Sequence, residues 1–174
     1  MSDICEESGV SRGTLYRYFK SKEEVLDAVN SRIEDTMRAA YDDAVAARPD
    51  PAERVRVVLE VAISFPERFP HMRQMIQLEP GVALAFMTRE LPTIAKFASE
   101  YLKPALAESP PVVQGILTER QITEIFMRLV MSSFLIPTPG SAKLAARLAD
   151  LWDSLTTSDE SAAAPRQRRM RAAR

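Results

Sequence analysis

Gly9 does most to limit what the N-terminal end of this chain can fold into. It sits inside the run Ser2–Lys22, SDICEESGVSRGTLYRYFKSK, between two stretches that each read as a helix. In the first, Ser2–Glu7, Ser2 suits an N-cap, Asp3 suits the positive end of the helix dipole, and Ile4 and Cys5 are apolar. Gly9 then stops the helix, because only glycine takes up a positive φ without steric cost. Val10 is expected to plug the turn into a core. Ser11 stands where the second helix needs its N-cap.

That second helix reads from Arg12 to Phe19. Successive side chains on a helix are rotated by about 100°. Leu15 and Phe19 therefore share one stripe, and Gly13, Arg17 and Lys20 fall opposite. Tyr16 lies on one flank, with Thr14 and Tyr18 on the other. From Ser11 to Lys22 the cations are Arg12, Arg17, Lys20 and Lys22, and no acidic residue occurs. Tyr18 fits a groove flank or a core position equally on this pattern.

A capped helix, a glycine turn and a second capped helix with a basic, aromatic outer side form a helix-turn-helix DNA reader. An α-helix fits the major groove of B-DNA, and its first turns approach the base edges. Arg12, Thr14 and Arg17 are the expected base readers. Arginine can donate two parallel hydrogen bonds to guanine, and the threonine methyl packs on the thymine methyl. Tyr16, Tyr18, Lys20 and Lys22 are the expected phosphate contacts, which set register without reading sequence. Gly13 lets the backbone come close.

Composition supports a small helical protein of this kind. The chain has 174 residues, 46% hydrophobic and 27% charged, with only 5 glycines. Long stretches of helical periodicity dominate, so the expected fold class is all-α. A net charge of -1 leaves room for a local basic patch on an acidic body. The single Cys5 allows no intrachain disulfide and points to a reducing, cytoplasmic compartment. No apolar run is long enough for a membrane span, and no signal-peptide pattern opens the sequence. One histidine, one cysteine and no glycine-rich phosphate loop leave no nucleophile–base set, so neither an enzyme nor a metal or cofactor site is expected. His71 reads as a loop residue.

The run GVSRGTLYRYFKSKEEVLDAV closely resembles the recognition-helix signature of the tetracycline-repressor (TetR) family of transcriptional regulators. Gly9, Val10 and Ser11 match its turn; Leu15, Tyr16, Tyr18, Phe19 and Lys22 match its helix and exit. The resemblance covers the first thirty or so residues. It implies a homodimeric, ligand-responsive repressor that reads a palindromic double-stranded operator and takes a small-molecule effector in its helical body. Family members carry one more helix ahead of Ser2–Glu7, which this sequence lacks. The alternative reading is accordingly an N-terminally truncated helical ligand-binding module without DNA-binding activity.

Beyond the reader, capping residues and prolines partition the chain. Residues 1–22 form the helix-turn-helix, 23–155 a helical effector-binding and dimerisation domain, and 156–174 an Arg-rich tail whose composition predicts disorder. Ser21 with Glu23 and Glu24 opens a long helix, on which Leu26, Val29, Ile33, Met37, Ala40 and Ala44 recur at helical spacing up to Pro49. The resemblance makes this helix the connector between effector site and reader. Val55–Phe65 forms the next helix. Pro80 and Gly81 are expected to break 71–90 into two short helices, Leu91–Ala107 to form another that Pro104 kinks or ends, and Pro110–Pro111 to mark a loop. Thr118 caps a helix ended by Pro137, and Ser141 opens the last. Phe65, Met72, Met75, Phe86, Met87, Phe97, Tyr101 and Phe126 are candidates for the effector pocket, or else simply core. Phe126, Leu129, Val130, Ser133, Leu148, Leu151 and Trp152, on the last two helices, are candidates for the dimer interface, or else for intrachain packing.

Overall fold

The computed structural model describes residues 5–6, 8–69, 76–136, 140 and 143–156. All regular structure among them is helical, so the all-α class holds. The elements are α1 (Arg12–Tyr18), α2 (Lys22–Ala47), a 3-10 turn Pro51–Glu53, α3 (Arg54–Ser64), a 3-10 turn Phe65–Arg68, α4 (Pro80–Leu106), the single turn α5 (Pro110–Val113), α6 (Glu119–Leu135) and a last helix, α7, over 144–156. The chain divides into two compact units, Met1–Ala40 and Tyr41–Arg174. The division falls within α2.

In the first unit, residues 5, 6 and 8 are helical and Gly9 turns with φ 67°. The Ser11 hydroxyl accepts the Thr14 N–H at 3.1 Å, as the N-cap reading requires. Helix α1 stops one residue short of the expected end, because Phe19 is extended (φ -133°, ψ 122°). Ser21 accepts the Glu24 N–H at 3.2 Å, and the Glu24 carboxylate reaches back to the Lys20 N–H at 2.6 Å, so two otherwise orphaned amides at the start of α2 are satisfied.

In the second unit, α3, α4 and α6 pack mutually, with α4 on α6 the most extensive contact. Val55, Val57, Val58 and Leu59 of α3, Ala98, Leu102 and Leu106 of α4, and Ile122, Met127 and Val130 of α6 are buried. Phe126 of α6 meets Trp152 of α7 edge to face at 5.8 Å. Arg56 of α3 donates to Asp150 of α7 at 2.6 Å, with Asp153 at 3.8 Å. The Asp150 hydrogen bond raises the Arg56 pKa further, against desolvation. Thr118 and Gln121 form a reciprocal capping box on α6.

The expected break is present at the non-helical Glu79, between the helical residues 76–78 and α4, but the helix that follows is long and runs on past the expected boundary at Leu91. Pro80 opens the helix at its first turn, where a missing N–H costs nothing, and the helix continues through Pro92 and Pro104. Both interior prolines are exposed. So are Thr88 and Glu100, one turn before them, whose carbonyls a proline cannot serve; water can solvate those carbonyls instead. Pro110 and Pro111 likewise start a helical turn instead of a plain loop. Ser2, Ile4, Met72, Met75, Pro137, Ser141 and the tail from residue 157 lie outside the described residues.

Candidate nucleic-acid interface

The first unit brings together every residue expected to meet DNA. Arg12, Gly13, Thr14, Tyr16, Arg17, Tyr18, Lys20 and Lys22 are all exposed, whereas Leu15 between them is only 7% exposed. Tyr18 is 68% exposed, which removes its reading as a core residue. One amphipathic turn of helix thus buries a leucine and presents guanidinium, phenol, hydroxyl and ammonium groups outward. The Thr14 hydroxyl lies 2.9 Å from the Ser11 hydroxyl, so its polar end is engaged at the cap. The Arg17 guanidinium sits 5.0 Å from the Tyr18 ring centroid, with Nη2 donating to the Tyr18 hydroxyl at 3.4 Å.

Gly13 is informative for what surrounds it. Its φ is not in the left-handed region, and a Cβ there would meet nothing closer than the Ser11 hydroxyl at 4.0 Å. Glycine inside a helix costs about 1 kcal/mol relative to alanine. No packing among the described residues accounts for that cost.

Just past α1, the Glu23 carboxyl is held below the ordinary carboxylate range, first by its own backbone amide and then by the Ser21 hydroxyl. It stays ionised at the positive end of α2, beside Lys22.

Several apolar residues lie outside. Val10, expected to plug the turn into a core, is exposed, and so are Leu26 (47%) and Val29 (49%) on the apolar stripe of α2. Ile33 and Met37, one and two turns on, are half-buried, as are Cys5 and Phe19. Helical spacing identifies a side of α2, but over its first turns nothing among the described residues covers that side fully.

In the second unit the pocket candidates have distinct partners. Phe97 and Tyr101 meet each other at 5.4 Å and pack on Tyr41 at 5.7 and 4.8 Å. Phe65 pairs with Phe69, Phe126 with Trp152, and Phe86 lies under the Arg89 guanidinium. Met87 is buried. Tyr41, 1% exposed, centres the largest ring cluster among the described residues and is absent from the candidates drawn from sequence, although it follows Met37 by one turn on the same stripe. Tyr101 donates to the Asp42 carboxylate at 2.8 Å.

Of the dimer candidates, Phe126, Val130, Leu148 and Trp152 are buried within the chain instead of lying on its surface. Ser133 is half-buried and donates to the Val130 carbonyl. Leu129 and Leu151 are exposed, each with an apolar neighbour one turn away, Ile125 on α6 and Leu155 on α7.

Among the described residues no helix is long and apolar enough to cross a membrane, and no group of three or more His, Cys, Asp or Glu is placed to hold a metal. His71 lies outside the described residues.

Comparison with known proteins finds a family match over the same segment. Residues 1–29 match the family model of bacterial regulatory proteins of the tetR family, so the N-terminal resemblance holds. The nucleoid occlusion factor SlmA of Vibrio vulnificus is 27% identical over 121 residues, covering 70% of this chain and 57% of that protein. SlmA of Haemophilus ducreyi is 34% identical over 95 residues, covering 54% of this chain and 46% of that protein. The chain spans about half the length of these curated relatives. No solved structure matches.

Proposed function

We propose that this chain is a DNA-binding transcriptional regulator of the tetR type, a ligand-responsive repressor that reads a palindromic operator as a homodimer. The observation that carries this is Gly13. Its helix gives up stability for want of a side chain, and no neighbour among the described residues fills the gap. The gap has a use if another body, the edge of a base pair, comes against the α1 backbone there. Its exposed neighbours Arg12, Thr14 and Arg17 have the donors and methyl group that base edges accept. Tyr16, Lys20 and Lys22 suit the flanking phosphates.

A homodimer is supported by the exposed apolar side chains on α6 and α7, Ile125, Leu129, Leu151 and Leu155, which a second copy would cover. Two reader helices would then address half-sites ~34 Å apart. The small-molecule effector would be taken in the second unit.

Binding titrations on a duplex recovered by in-vitro selection, and on its scrambled version, test the reading. Arg17→Ala should cost about 1–3 kcal/mol on the selected duplex and little on the scrambled one. Lys22→Ala should weaken both alike and reduce the salt slope by about 1. Equal loss on both duplexes for Arg17→Ala removes it as a base reader. If no duplex is selected at all, the chain is a helical ligand-binding module.

The relatives' name favours a second reading, in which the DNA-bound protein serves nucleoid occlusion instead of promoter control. Genomic footprinting separates the two. Repression predicts a few sites at promoters, and occlusion predicts sites spread over the chromosome without promoter bias.

A further inference from the structure

We infer that Tyr18 is a positioning residue for Arg17, a shelf that holds the guanidinium ready for a guanine edge, and not a phosphate contact. This rests on the DNA-reading role of α1. Consecutive residues on a helix point about 100° apart and do not ordinarily face one another. Here they meet: the Arg17 guanidinium stands 5.0 Å from the Tyr18 ring centroid, and Nη2 reaches the phenol oxygen at 3.4 Å. Tyr18 can do this because it is the last residue of α1. Phe19 turns to extended backbone immediately after it, so the helix end leaves the Tyr18 ring room to lie beside Arg17.

The pairing has a chemical consequence. A guanidinium is planar and carries five N–H donors. One is directed at the phenol and the guanidinium carbon stands over the ring, which leaves further donors for the paired acceptors O6 and N7 of guanine. An arginine already held over a ring gives up less rotamer freedom on meeting the base. The role predicted for Tyr18 is therefore sequence discrimination, transmitted through Arg17. A phosphate contact would add affinity for any DNA.

The test uses the full chain and a selected duplex beside its scrambled version. In the free protein, the Arg17 Nε–Hε NMR signal should be displaced by the Tyr18 ring current, keep that displacement in Tyr18→Phe, and lose it in Tyr18→Leu. Tyr18→Leu should lower the selected-to-scrambled affinity ratio roughly two- to fivefold, the size of an exposed cation–π contact, at unchanged salt slope. Tyr18→Phe should keep most of the ratio. Adding Tyr18→Leu to Arg17→Ala should lower the ratio no further. Equal weakening of both duplexes by Tyr18→Leu with a shallower salt slope overturns the positioning role in favour of a phosphate contact, and so does a loss additive with that of Arg17→Ala. If Arg17→Ala itself leaves the ratio intact, the base-reading role fails and the positioning role falls with it, even where the ring-current displacement is seen.

Discussion

Tyr41 and Tyr101 stack with ring centroids 4.8 Å apart and planes inclined by 27°. Tyr41 is the buried partner, at 1% exposure, and Tyr101 anchors the stack through its hydrogen bond to Asp42. Stacked aromatic pairs contribute about 0.5–1.5 kcal/mol beyond the area they bury. The cluster thus joins the C-terminal part of α2 to the C-terminal half of α4 within the second unit.

Burial, with Tyr101 second, raises the Tyr41 phenol pKa above its ordinary 10.0. Below about pH 10 the folded and unfolded chains both keep that proton, and its contribution to stability is fully present. Above it the unfolded chain releases a proton that the folded chain retains, so stability falls by up to roughly 1.4 kcal/mol per pH unit. Urea midpoints measured at about pH 8 and about pH 10.5 should fall further apart in the native protein than in Tyr41→Phe. Identical shifts in the two proteins would show that this phenol is not the group responsible.

Gly13→Ala should stabilise the protein by about 0.5–1 kcal/mol and weaken DNA binding. Gains in stability that cost function are the usual outcome where a site, and not the fold, demands an unfavourable residue. Thermal melts and duplex titrations of the same preparation check both halves. Unchanged DNA affinity would mean that nothing approaches the backbone there.

Ser11→Ala removes the N-cap of α1 and should cost about 1 kcal/mol. The effect should be local, read as faster amide exchange in Thr14 and its neighbours, with loss of affinity for every duplex. Ser11→Asn should restore the exchange protection, because asparagine caps as well as serine does. Unaltered exchange in Ser11→Ala would show that the cap does not hold the helix.

Leu129→Glu and Leu151→Glu lie on exposed surface and should change the stability of one chain by no more than about 0.5 kcal/mol. If α6 and α7 form the dimer interface, each should lower the mass seen by analytical ultracentrifugation and abolish operator binding. Phe126→Ala, one turn of α6 before the buried Val130 and packed on Trp152, should instead cost about 3–5 kcal/mol of stability. A mass unaffected by both glutamates would exclude this face.

The features legible in the sequence are local. The Ser11 cap, the Gly9 turn, the Thr118 capping box and the end of α2 before Pro49 each depend on a few neighbouring residues, and each is found where the pattern places it. Proline is a poorer guide. Pro80 does mark a break, with Glu79 non-helical before it, but Pro92 and Pro104 lie on the exposed side of α4, where a lost hydrogen bond is tolerated. Val10 reads as inward because it is apolar, yet it is exposed, as are Leu26 and Val29 on the apolar stripe of α2. The stripe of α2 could have placed Tyr41 on its apolar side, but not beside Phe97 and Tyr101, which are far away along the chain.

The sequence by itself determined where helices start and stop and which side of α1 is polar, because caps, glycine turns and the 3.6-residue repeat act between near neighbours. Only the tertiary structure decided how deep each apolar side chain lies. Periodicity assigns a residue to a face, and whether that face is covered depends on a distant element that packs against it. That is why Phe126 and Leu129, three residues apart on one helix, end up on opposite sides of the boundary between core and surface.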